Sequence, residues 1–174
     1  MEQGRRTLPW DALGDVAAGR PHLGPMARLE ICRLMQLSLC FVPEEQLGRE
    51  AADRLLPEAG QAAGSAFADR LLGPMTSLSD YVRRLQATFR EYGVGIVRVE
   101  EADPEQGRFV FTVEEDMDCS GLPETDRDIC KFDEGFLAGL LERSMGRRYR
   151  VTEVDCWCAG ARVCRFVAEA VTRS

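Results

Sequence analysis

The sequence contains one histidine, His22, and this scarcity excludes several kinds of catalytic site. A Ser-His-Asp or Cys-His nucleophile needs a positioned imidazole base, whereas His22 lies in the loop-like stretch "GRPHLG". The phosphate-binding pattern G-x-x-x-x-G-K-[ST] and the zinc-protease pattern H-E-x-x-H are also missing. We therefore predict no catalytic residues and favour a protein that is not an enzyme.

Long apolar runs and basic runs are missing as well. No stretch reaches the ~18–20 apolar residues of a membrane span, and residues 1–20 lack the apolar core of a signal peptide. The formal net charge is -7, and no Lys/Arg-rich run is available to follow a phosphate backbone. We therefore expect a cytoplasmic protein with no membrane contact and no direct nucleic-acid ligand.

The composition is that of one globular domain. Hydrophobic residues make up 45% of the 174 residues and charged residues 29%, which excludes a disordered or fibrous chain. Residues 1–24 show no sustained period and are predicted to be a lead-in segment. Residues 25–174 are predicted to form a single domain with a helical part, 25–92, and an α+β part, 93–174.

Apolar residues recur at helical spacing in the first half of the chain, as in Leu29, Cys32, Met35 and Leu39. The pattern predicts four helices, at about 26–43, 44–56, 59–72 and 77–93. Their expected ends are Pro43, Pro57, Gly73-Pro74 and Gly93. Because these helices carry more apolar surface than one small sheet can cover, we expect a homodimer through this half.

After Gly93 the spacing of apolar residues shortens from a helical period to that of a strand. The segments "VGIVRVE" and "RFVFTVEE" flank the turn "DPEQG", which predicts a β-hairpin. A polar loop over 116–128, an amphipathic helix from about 132 to 146 and a second hairpin from "YRVTEVDC" and "CRFVAEAV" follow. This order predicts an α+β fold in which helices pack on a small antiparallel sheet.

Four aromatic residues fall near the junction of the fourth predicted helix and the first hairpin: Tyr81, Phe89, Phe109 and Phe111. They can line an apolar pocket or fill the core, and core packing is the commoner fate of such residues.

Seven cysteines need an explanation in a chain expected to be reduced. Cys32 and Cys40 lie in an apolar helical pattern, where a cysteine is usually a small buried hydrophobe. The other five fall in the last third of the chain: Cys119, Cys130, Cys156, Cys158 and Cys164. Clustered thiols of this kind either hold a metal or pack as buried side chains, and their spacing does not choose between the two.

A zinc site is the sharper of these two interpretations. Zn²⁺ is bound tetrahedrally by thiolates and carboxylates, which Glu153, Cys156 and Cys164 can supply, with Cys130 well placed to be the fourth ligand. Side chains alternate along a strand, so the strand must bend or end near Asp155 if Glu153 and Cys156 bind one ion. Gly160 in "CAGARV" permits the turn that follows, because glycine tolerates positive φ.

Several of these residues together resemble the 4-vinyl reductase domain family. They are Cys130, Gly135, Gly146, "TEVDC" and "GARVC", and the resemblance is clear from residue 130 to 166 and extends over the chain from residue 23. The family is a small-molecule-binding module, found alone and as the sensor of aromatic-responsive transcription activators. In the sensors a zinc ion is held by a cysteine, a glutamate and two cysteines, and the matching positions are Cys130, Glu153, Cys156 and Cys164.

The resemblance implies a function and a mode of assembly. We expect a module that binds or senses a hydrophobic or aromatic small molecule and dimerises through its helical part. A structural zinc ion would pin the last helix to the last hairpin. The regulators' nucleotide-hydrolysing module and DNA-binding helix pair are not found in the sequence, so action through a signalling partner is expected.

Two other functions remain as alternatives. The family name implies an enzyme or accessory that reduces a 4-vinyl group of a tetrapyrrole such as bacteriochlorophyll, but no nucleotide or flavin fingerprint is present. Cys119 and Cys158 have no counterpart in the sensor pattern. They are either spare thiols, a redox-responsive pair that makes the protein a thiol-based redox sensor, or ligands for another metal or cluster.

Overall fold

The computed structural model describes residues 8–125 and 129–171. Residues 1–7 of the predicted lead-in and 126–128 of the predicted loop lie outside the described residues. The helices are α1 (Val16–Gly19), α2 (Leu29–Leu47), α3 (Arg49–Phe67), α4 (Leu78–Glu91) and α5 (Lys131–Met145). The strands are β1 (Ile96–Asp103), β2 (Arg108–Glu114), β3 (Tyr149–Asp155) and β4 (Cys164–Ala170). The division into a lead-in and a domain from residue 25 stays a prediction.

The four strands form one antiparallel sheet in the order β1-β2-β4-β3. Each predicted hairpin is present, and β4 pairs with β2 of the first hairpin, so that Phe166 faces Phe111 and Cys164 faces Val113. Helices α4 and α5 pack on this sheet. The predicted α+β fold, helices on a small antiparallel sheet, is therefore confirmed.

The predicted helix ends at Pro43 and Pro57 are wrong. Helix α2 continues through Pro43 to Leu47, and α3 runs unbroken through Pro57. The break falls instead at Gly48, whose φ of 84° ends one helix and starts the next. A proline inside a helix loses one hydrogen bond, and at Pro57 the packing of α3 against Gly135 of α5 outweighs that local cost.

Helices α3 and α5 cross with their backbones in direct contact. The contact is made by two glycines on each helix, Gly60 and Gly64 on α3 and Gly135 and Gly139 on α5. A Cβ atom added to Gly64 would collide with the backbone of Phe136, which lies on the opposite helix. Only glycine permits helix axes to approach this closely.

The core lies between the helices and one face of the sheet. Tyr81, Phe89, Phe109 and Phe111 are all buried in it, and the rings of Phe109 and Phe111 stack with their centres 6.0 Å apart. The core interpretation of these four aromatic residues is confirmed.

None of the described helices combines the length and the apolar character that a membrane span requires.

Candidate metal centre

Four cysteines from four separate segments meet at one end of the sheet. Cys119 lies in the loop after β2, Cys130 is the N-cap residue of α5, Cys156 follows the last residue of β3, and Cys164 opens β4. Their sulfur atoms all lie within 4.8 Å of one another. We call these four residues the cysteine cluster.

The size of the cysteine cluster fits a tetrahedral metal ion. Zn–S bonds of about 2.3 Å place the sulfur atoms about 3.8 Å apart. The Cys130 sulfur lies 3.8 Å from that of Cys156 and 4.0 Å from that of Cys164, and the Cys119 and Cys164 sulfurs are 3.0 Å apart. Even the shortest of these distances is too long for a disulfide, and all four thiols are free.

The pKa values of two thiols in the cysteine cluster shift in opposite directions. Hydrogen bonds with Cys119, Cys156 and Cys164 raise the pKa of the Cys130 thiol. Hydrogen bonds from Cys119, Cys130 and Cys164 hold the pKa of the Cys156 thiol below its usual range. A divalent cation that binds such thiols replaces their protons, because the thiolate is the form that binds metal.

Three of the predicted ligands, Cys130, Cys156 and Cys164, belong to the cluster, and the fourth sulfur is that of Cys119. Glu153 is the remaining predicted ligand. Its Oε1 atom is buried and has no hydrogen-bond partner within the described part of the chain. Burial, with the negative charge of Cys164 and Cys156, raises the pKa of the Glu153 carboxyl to about 10. The Glu153 side chain therefore lies beside the sulfurs, and its role as a ligand stays a prediction.

The strand that carries Glu153 ends as the zinc hypothesis requires. Strand β3 stops at Asp155, and its pairing with β4 shifts register between Glu153 and Asp155. Such a bulge changes the direction of side chains that would otherwise point alternately to the two faces of the sheet. Gly160, with φ of 88°, then closes the turn that leads to β4. The predicted bend near Asp155 and the glycine turn are both confirmed.

Helix α5 is tied to β3 through a buried carboxylate next to the cluster. Glu134 accepts a hydrogen bond of 2.9 Å from the backbone N–H of Glu153 and pairs with Lys131 at 3.1 Å. These contacts fix the first turn of α5, and with it Cys130, relative to the end of β3.

The loop that carries Cys119 is held by an aspartate turn. Asp116 Oδ1 accepts hydrogen bonds from the backbone N–H groups of Asp118, at 2.7 Å, and Cys119, at 3.2 Å. Burial raises the pKa of the Asp116 carboxyl to about 7 and that of Asp118 to about 6. Buried acidic groups next to thiols favour a cation in this region.

An arginine of α2 also forms hydrogen bonds with this loop. The Arg33 guanidinium donates hydrogen bonds to the backbone carbonyls of Met117, at 2.8 Å, and Ser120, at 2.6 Å. Because Arg33 lies more than 80 residues away along the chain, sequence patterns do not place Cys119 in the site. The aspartate turn in "EEDMDCSG" is the one local signal that this cysteine has a set position.

Cys158 lies outside the cysteine cluster. Its side chain is buried, and its sulfur is 4.0 Å from the backbone carbonyl of Cys119. Burial raises the pKa of the Cys158 thiol to about 11. The sulfur of Cys119 contacts that of Cys164. A redox pair formed by Cys119 and Cys158 stays a hypothesis.

Part of the chain is similar in sequence to known proteins. Residues 109–170 match the family model of the 4-vinyl reductase domain. An uncharacterised protein of Methanocaldococcus jannaschii is 30% identical over 84 residues, which cover 48% of this chain and 50% of the relative. A second from the same organism is 25% identical over 76 residues, 44% of this chain and 43% of the relative. The chain thus spans about half the length of the curated relatives it matches.

Solved structures share the fold at low sequence identity. The phenol-responsive sensory domain of the transcription activator PoxR, with phenol, has a TM-score of 0.64 at 16% identity, and the match covers 84% of this chain and 76% of that domain. A vinyl-4-reductase family protein of Methanocaldococcus jannaschii has a TM-score of 0.60 at 18% identity, with coverages of 86% and 85%. A trafficking protein particle complex subunit 3 from Naegleria fowleri, covalently bound to palmitic acid, has a TM-score of 0.62 at 13% identity, with coverages of 84% and 100%.

Proposed function

Residues 109–170 carry a 4-vinyl reductase domain, and we propose on this basis that the chain is a binding or sensing module for a hydrophobic or aromatic small molecule. The observation that carries the proposal is the fold shared with a sensory domain that holds phenol, which extends over 84% of this chain. The module acts by passing ligand occupancy to a partner protein. We place it in the cytoplasm, where its thiols stay reduced.

The same proposal gives the module a structural zinc ion. The thiolates of Cys130, Cys156 and Cys164 hold it, and the fourth ligand is either Glu153, as in the sensors that the sequence resembles, or Cys119. An ion at this point cross-links the start of α5 to the β3–β4 hairpin and contributes its binding free energy to folding.

Ligand binding is tested by titrating metal-loaded protein with phenol and with larger aromatic probes while the unfolding temperature is recorded. A ligand that binds only the folded state raises stability by about 2.7 kcal/mol at 100 times its Kd, so the unfolding temperature should rise with ligand concentration. Native mass spectrometry of protein taken from its own cells checks for a retained small molecule. No retained molecule and no response to any probe would overturn the sensing proposal.

We also propose that α2 is the interface of a homodimer. Five apolar side chains at helical spacing on α2 are more than half exposed: Ile31, Leu34, Met35, Leu39 and Val42. Monomeric proteins rarely leave a continuous apolar surface of this kind in water. A second copy of the same chain covers it by symmetric contact of the two α2 helices.

Replacing Leu34 with glutamate is expected to shift this dimer towards monomer, because the charge would be buried opposite apolar side chains. Analytical ultracentrifugation over a concentration series measures the change. The matched control is Val171→Glu, at another exposed apolar residue just after β4, which should leave the dimer intact. A monomeric native protein would contradict the proposal.

A further inference from the structure

We infer that the metal is held by four thiolates, with Cys119 in the position that the sequence-based prediction assigned to Glu153. The inference rests on the metal site of the proposed function and is independent of which small molecule the module binds. Five donor groups lie at the site, the four thiols of the cysteine cluster and the Glu153 carboxylate. A tetrahedral ion binds only four of them.

Geometry favours the Cys119 sulfur over the Glu153 carboxylate. The group of candidate ligand atoms that lie within 4.8 Å of one another contains the Cys119 sulfur and no oxygen of Glu153. Cys119 is fully buried, and its sulfur already contacts that of Cys164. A tetrahedral ion needs four donors equally close to one centre, and the four sulfurs can meet that condition.

The chain around each donor supports the same choice. Two hydrogen bonds to Asp116 hold the backbone of Asp118 and Cys119 in a turn, which presents the Cys119 sulfur to the other three. Glu153 is anchored by its backbone N–H to Glu134, and its carboxyl lies beside the sulfurs from the β3 side. In the four-thiolate site Glu153 is therefore a neighbour of the ligands.

With Cys119 as a ligand, the metal also contacts the loop after β2, which the other three ligands do not reach. Cys130, Cys156 and Cys164 link only α5 and the second hairpin. Cys119 adds the loop after β2, whose carbonyls at Met117 and Ser120 are bound by Arg33 of α2. Metal occupancy thus orders the loop that supports α2, the helix with the exposed apolar face.

Cobalt substitution tests the assignment, since Co²⁺ bound by thiolates absorbs in the near ultraviolet in proportion to the number of Co–S bonds. Each variant is loaded with Co²⁺ under reducing conditions. We expect Cys119→Asp, which retains a donor, to lose about a quarter of this absorbance, one bond of four. Glu153→Gln should keep the full absorbance.

Metal affinity provides the second readout. Cys119→Ser is expected to weaken Zn²⁺ binding by more than about 100-fold, whereas Glu153→Gln should weaken it by no more than about 10-fold, the lower end for a neighbour of a ligand. Cys158→Ser removes a buried cysteine outside the cluster and serves as the matched control, with absorbance and affinity unchanged.

Hydrogen exchange measures the link to α2. Zn²⁺ should slow amide exchange in residues 116–120 and in α2 of the native protein, and this slowing should be lost in Cys119→Ser.

The outcomes separate the two proposals. Full cobalt absorbance in Cys119→Asp together with loss of metal from Glu153→Gln would overturn the four-thiolate site and leave the metal centre in place. A native protein that binds neither Co²⁺ nor Zn²⁺ would overturn both the site and the metal part of the proposed function.

Discussion

Replacing Cys164 with serine is expected to abolish the proposed metal binding and to lower the stability of the whole domain. The Cys164 sulfur contacts two others of the cluster, at 3.0 Å from that of Cys119 and 4.0 Å from that of Cys130. Serine has nearly the same size but is a poor zinc ligand, so the change acts mainly on the metal. It leaves three thiols of the cysteine cluster in place.

The expected loss is large because metal binding contributes directly to folding. Structural zinc sites supply up to about 10–16 kcal/mol in zinc-finger peptides, so a loss of about 5 kcal/mol is a modest expectation for a domain with its own core. Such a loss lowers the unfolding temperature by about 10–20 °C in a chain of this length. Elemental analysis and calorimetry on the same preparation measure both effects.

Cys32→Ser is the matched control for this experiment. Cys32 is a half-buried cysteine of α2 that lies outside the cluster, so its variant should retain the metal and most of the stability. Metal-free Cys164→Ser protein that unfolds at the same temperature as metal-loaded native protein would show that the cysteines form an ordinary core.

Replacing Gly64 with alanine is expected to destabilise the fold through the contact between α3 and α5. The added Cβ would meet the backbone carbonyl and Cα of Phe136, which cannot rotate away as a side chain can. The two helices must then separate, which costs about 3 kcal/mol or more. Urea unfolding followed by circular dichroism measures the change in the free energy of unfolding.

The same displacement should reach the candidate metal centre. Helix α5 begins directly after Cys130, so a shift of the helix moves one of the four sulfurs away from the others. We therefore expect Gly64→Ala to weaken Zn²⁺ binding as well as the fold. Gly19→Ala is the control, because that helical glycine has open space where a Cβ would lie. Equal urea midpoints for Gly64→Ala and the native protein would contradict the close helix contact.

Much of the candidate site was predictable because its chemistry is local. The segment "TEVDCWCAGARVC" contains two cysteines of the cluster, the carboxylate of Glu153 and the glycine that makes the turn, all within thirteen residues. The need for a bend near Asp155 followed from the alternation of side chains along a strand. The bulge in β3 supplies that bend.

Cys119 could not be assigned in the same way. Its position in the cluster depends on the pairing of β2 with β4, which places Val113 opposite Cys164 and so brings the following loop to the start of β4. It also depends on Arg33, which reaches the loop from α2. Both are contacts between residues that are distant in the chain, and no local sequence pattern predicts them.

By itself, the sequence determined the α+β class, the two β-hairpins with a helix between them and the residues able to bind a metal. These properties follow from hydrophobic period, turn chemistry and the donor atoms of single side chains, all of which act over a few residues. Only the tertiary structure decided that the helices continue through Pro43 and Pro57, that glycines bring α3 and α5 into contact, and that the fourth sulfur is that of Cys119. The physical reason is that the contact of α3 with α5 and the meeting of the four sulfurs depend on packing between segments far apart in the chain, where the gain from burial outweighs a local preference.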